Sequence, residues 1–134
     1  MSGSVFSQKM SKDKNLLISS IEKHKEELIK ISDSIWALAE TAFDESESSR
    51  ILADYAEKNG LTVTRGVADI PTAFTATYGS GSPVISILGE FDALPGISQK
   101  TSPVKEPLKE GAAGHGCGHN MFGTASLGSA IAIK

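Results

Sequence analysis

An α/β fold, with a mixed sheet flanked by helices, is predicted by three observations on this chain. A long segment near the start repeats its apolar residues at helical spacing, the middle switches to period-two β-branched runs, and the end carries small residues at helical spacing. From about Asn15 to Ala42, Leu17, Ile21, Leu28, Ile31, Ile35 and Leu38 form one face, while Glu22, Lys23, Lys25, Glu26 and Lys30 occupy the other. Asp44 with Glu47 three residues on reads as a capping box that starts a second helix, and Asn59-Gly60 closes it. Strands are expected at Leu61–Arg65, Thr72–Tyr78 and Val84–Leu88, the last two joined as a hairpin through Gly79-Ser80-Gly81-Ser82-Pro83. Val84-Ile85-Ser86-Ile87-Leu88 is almost continuously apolar, which predicts a central strand buried on both faces. Ile97 to Ala113 is an irregular excursion, and Met121 to Lys134 a helix packed closely on the sheet. Trp36 and Phe43 are expected to serve in packing.

The length of 134 residues suits one domain with its own core, and the net charge of -3 gives no general attraction for nucleic acid. Glu22 to Lys25 interrupt the early apolar run too soon for a signal core or a membrane span, so no targeting segment and no membrane partner are expected. The lone cysteine cannot make an internal disulfide, and a reducing cytoplasm is the expected location. Residues 1–14 read as a disordered or tag-like tail ahead of a folded part over 15–134.

Function is concentrated in Gly114-His115-Gly116-Cys117-Gly118-His119-Asn120. Imidazole and thiolate are the donors that zinc and similar ions prefer, and alternation on an extended loop points His115, Cys117 and His119 the same way. The bland alternative is a small buried cysteine beside two incidental histidines, and a Cys-His nucleophilic pair is a third reading. Glu90 and Asp92, at the end of the third predicted strand, can bind a hard cation, hold a metal-bound imidazole in one tautomer, or simply satisfy a turn. Glu26-Glu27, on the charged helix face, reads as solvated surface.

Gly89-Glu90-Phe91-Asp92-Ala93-Leu94-Pro95-Gly96 together with the Gly114–Asn120 motif resembles the metal-dependent amidohydrolase/aminoacylase/carboxypeptidase family of metallopeptidases, including auxin-conjugate hydrolases. Arg65–Phe74 and Met121–Gly128 make the likeness greatest to its aminobenzoyl-glutamate hydrolase branch, on the side of that enzyme's B subunit. The resemblance implies the N-terminal part of a zinc-peptidase-like catalytic domain, with the dimerisation domain and the rest of the catalytic domain absent. It implies cleavage of the amide bond of N-acyl amino acids or small peptides, two divalent ions (Zn or Mn) in the intact enzyme, and a homo- or hetero-oligomer. By the family pattern Cys117 and His119 match metal ligands and Asp92 the acid near the metal. Glu90 stands where other branches carry a ligand histidine, His115 matches a position not usually counted as a ligand, and both remain possible ligands. Asn120 replaces an Asp common in the wider branch. The general-base Glu of the family has no counterpart here, so the expectation is a truncated, inactive fragment. The alternatives are a non-catalytic binding or assembly module and a thiol-dependent hydrolase.

Overall fold

Ser11 starts the first helix by accepting a hydrogen bond on its Oγ from the Lys14 N–H at 3.2 Å. The computed structural model describes residues 10–134, so expectations about residues 1–9 lie outside the described residues. Helix α1 spans Lys12–Leu38 and ends where Ala39 turns left-handed, its N–H bonded to the Ile35 carbonyl. It therefore begins inside the stretch expected as tail and stops short of Ala42. Ile31 and Ile35 are buried and Leu28 is half-buried, whereas Leu17, Ile21 and Leu38 are exposed. The reason lies in the length of the layer beneath. Helix α3 (His119–Ile133) runs antiparallel to α1, with Asn120 against Ser32 and Gly128 against Leu28 and the tip of Ile21, so Leu38 lies beyond its first turn and the N-terminal apolar residues of α1 meet only its last.

Helix α2 spans Ser46–Lys58. Its N-cap residue is Glu45, without a capping side chain, and the expected Asp44–Glu47 box is not formed. Glu40 caps the helix from a distance instead, accepting from Glu47 N–H (3.1 Å), Ser48 N–H (2.8 Å) and Ser48 Oγ (2.6 Å). A carboxylate at a helix N-terminus meets free N–H groups and the positive end of the dipole together. Leu52, Tyr55 and Ala56 of α2 complete the core with Leu61, Leu127 and Ile131. Trp36 and Phe43, expected as packing residues, are exposed, Phe43 because it sits in the α1–α2 turn with φ 69°.

Strands β1 (Thr62–Arg65) and β2 (Phe74–Thr77) pair antiparallel, Thr62 opposite Thr77 and Arg65 opposite Phe74. The hairpin is therefore formed by the first and second predicted strands, not by the second and third. The Val84–Leu88 segment is not a strand and is not buried: Val84 is 82% exposed, Ile85 74% and Leu88 74%. A central strand needs a ladder neighbour on each side and a layer on each face. Among the described residues it has neither ladder, and only α3 covers one flank, Ser126 Oγ donating to the Leu88 carbonyl at 2.6 Å.

Just beyond, the chain crosses α3 closely. A Cβ on Gly123 would lie 2.8 Å from the Glu90 carbonyl oxygen and 3.1 Å from the Phe91 Cβ. Alanine normally improves a helix interior by up to about 1 kcal/mol over glycine. Here Gly123→Ala is expected to destabilise the chain by about 1–3 kcal/mol through overpacking, read by urea unfolding. Unchanged or increased stability would show that the crossing is loose.

Burial raises the Glu40 pKa, but the hydrogen bonds from Ser48 and Glu47 outweigh it and the net direction is downward from 4.5. A depressed folded value means the stabilisation is complete above the unfolded pKa and disappears as pH falls through the folded one. Glu40→Gln should therefore lose stability against the parent by a constant margin at neutral pH, and the margin should shrink below about pH 4.5. Chemical denaturation at several pH values measures it.

Candidate metal centre

Two short backbone contacts place the candidate residues. Ala93 donates its N–H to the Glu40 carbonyl at 2.7 Å and bridges in parallel to Thr41. Leu94 and Gly114 exchange both backbone hydrogen bonds at 3.0 Å. The segment carrying Glu90 and Asp92 is thus wedged between the α1–α2 corner and the glycine-rich loop. Gly118 then takes φ 81°, a conformation that favours glycine, and its carbonyl accepts from Met121 and Phe122 to open α3. His119 is the first residue of that helix.

That start, two residues earlier than the sequence suggests, breaks the expected alternation. His115, Cys117 and His119 do not share one face. His119 Nδ1 lies 2.8 Å from Asp92 Oδ1, and its Nε2 lies 3.1 Å from Glu90 Oε2. Ligand atoms of Glu90, Asp92 and His119 all fall within 4.8 Å of one another. The His119 and Asp92 side chains are 23% and 25% exposed and Glu90 49%, so the cluster opens to solvent on the Glu90 side. Cys117 is exposed and stands outside this converging set, its thiol 3.9 Å from the Asp92 carbonyl oxygen at the rim. His115 is buried and turned the other way. Its Nε2 lies 3.1 Å from the Ile35 carbonyl, which can only accept, so Nε2 carries the proton. Burial pushes the His115 pKa down, partly opposed by that carbonyl, and its Nδ1 has no hydrogen-bond partner among the described residues.

The donor set fits a metal ion. A neutral imidazole has one donor and one acceptor nitrogen, yet His119 presents both to carboxylates. A cation held between this imidazole and the two carboxylates would relieve that mismatch. Glu90, Asp92 and His119 are oxygen and nitrogen donors of the kind that bind zinc or manganese.

Sequence reasoning missed the partners on α1. Asn120 Nδ2 donates to Ser32 Oγ at 3.0 Å, and the Ile35 carbonyl receives His115. His24, on the polar side of α1, lies apart from the site, its Nδ1 2.8 Å from the Tyr55 hydroxyl. A carbonyl at the end of a helix carries no signal in the residue string.

No family model matches the chain. It is 47% identical over 115 residues to the B subunit of p-aminobenzoyl-glutamate hydrolase from Escherichia coli (strain K12), an alignment covering 85% of this chain and 24% of the relative. It is 28% identical over 127 residues to the Xaa-Arg dipeptidase of Homo sapiens, covering 85% and 26%. To the IAA-amino acid hydrolase ILR1-like 6 of Arabidopsis thaliana it is 31% identical over 96 residues, covering 71% and 20%. These relatives support placing the chain with the M20 amidohydrolase/peptidase family. It spans about a quarter of the length of the curated relatives it matches.

Proposed function

We propose that this chain carries part of the metal centre of an amidohydrolase that cleaves the amide bond of N-acyl amino acids such as aminobenzoyl-glutamate, or of small peptides. The observation that carries the reading is the convergence of Glu90, Asp92 and His119, in a chain 47% identical over 115 residues to one component of an aminobenzoyl-glutamate hydrolase. His119 and Glu90 would hold the ion, with Asp92 either a further donor or the group that orients His119 through Nδ1. Cys117, at the rim, is the candidate thiolate ligand, and His115 lies too deep on α1 to be one. Divalent ions held there, Zn or Mn and two of them in the intact enzyme, would supply Lewis acidity for the scissile carbonyl and for a water.

The family's general-base Glu has no counterpart among these 134 residues, and the expectation for the chain alone is no turnover. The substrate is a small molecule met in the cytoplasm. The bacterial relative is named as one subunit of its enzyme, which supports assembly of the intact protein with like or unlike chains. A net charge of -3 supports the expectation of no nucleic-acid partner. No helix among the described residues is long and apolar enough to cross a membrane. The thiol-hydrolase alternative needs a free imidazole beside Cys117, and both nitrogens of His119 face carboxylates.

Titration of the chain with Zn(II) by calorimetry should show binding that weakens about tenfold or more in Asp92→Asn and is lost in His119→Ala. No binding, or binding indifferent to both substitutions, removes the metal centre. Incubation with aminobenzoyl-glutamate and metal should yield no product. Turnover that vanishes with Cys117→Ala would overturn the assignment of inactivity.

A further inference from the structure

We propose that His115 and Asn120 are positioning residues that clamp both ends of the Cys117–His119 turn onto one face of α1, fixing where thiol and imidazole stand. Their contacts fall on the same helical turn. His115 Nε2 donates to the Ile35 carbonyl at 3.1 Å, and Asn120 Nδ2 to Ser32 Oγ at 3.0 Å and the Ser32 carbonyl at 3.4 Å. Residues three apart on a helix lie side by side, so α1 offers the two acceptors as a matched pair.

Both clamping side chains are buried, His115 9% and Asn120 7% exposed, while Gly116 and Cys117 between them are exposed. The spanned stretch contains Gly116 and Gly118, the residue type that loses most conformational freedom on ordering. Left unanchored, such a stretch would not hold Cys117 beside Asp92. The purpose of the clamp rests on the metal centre proposed above, but its existence does not.

The assigned donor atom gives a discriminating test. A glutamine amide reaches about as far as Nε2 of histidine, whereas an asparagine amide reaches only about as far as Nδ1. Hydrogen exchange is measured by mass spectrometry on the full chain, comparing peptides over 114–122 with peptides over α2. The reporting amides are those of Gly114, Gly118, Met121 and Phe122, each hydrogen-bonded to backbone. In His115→Asn the loop should exchange roughly tenfold faster, about the loss of one buried hydrogen bond, with α2 unchanged. His115→Gln should restore protection. Ser32→Ala keeps a good helix former on α1 and removes one Asn120 acceptor, so it should speed loop exchange roughly threefold. Zn(II) affinity, measured beside exchange, should fall in the same order.

Equal acceleration in loop and α2, or indistinguishable Asn and Gln variants, would reduce His115 to an ordinary core residue and overturn the clamp. If the His115 variants do not fold, Ser32→Ala decides: loop exchange equal to the parent's overturns the proposal. A parent chain that binds no zinc sinks the metal reading, while the exchange rates still judge the clamp.

Discussion

The crossing of the Glu90–Phe91 backbone over α3 at Gly123 is the constraint on which the candidate site depends. It leaves no room for even a methyl group, and it sets the carboxylates of Glu90 and Asp92 beside the first turn of the helix that begins with His119. Packing and chemistry are therefore one problem here. The helix that buries Leu127 and Ile131 in the core is the same one that presents the imidazole.

Around that crossing the electrostatics divide into two regimes. The Arg50 and Arg65 ion pairs with Glu47, Asp54 and Glu57 lie exposed on the outer side of α2 and β1, where solvent screens them and little stability is at stake. The Glu40 carboxylate and the Glu90–Asp92–His119 group differ, since each gathers several partners in partly buried surroundings. Glu40 also gives its backbone carbonyl to Ala93, so the residue that caps α2 anchors the acidic segment as well.

Much of this was legible in the residues. The helices could be read because their periodicity and closing glycine are local properties, and α2 ends within a residue or two of Asn59-Gly60. The two motifs that meet in the site stand out by composition alone. What could not be read was non-local. Val84–Leu88 has the composition of a central strand, but composition does not supply neighbours. The alternation of His115, Cys117 and His119 presumed an extended loop, and the left-handed Gly118 turned His119 into a helix instead. Asp44 matched a capping pattern, yet Glu40, just past the end of α1, holds the Glu47 and Ser48 N–H groups instead.

The stretch from Val84 to Leu88 has one further consequence. Its amide and carbonyl groups form no backbone hydrogen bonds among the described residues, and its side chains are greasy and uncovered. Peptide groups in that condition recruit whatever strand comes near, including the same stretch of another molecule. For this chain at high concentration, the exposed ribbon is therefore where sticking to its own kind is expected to begin.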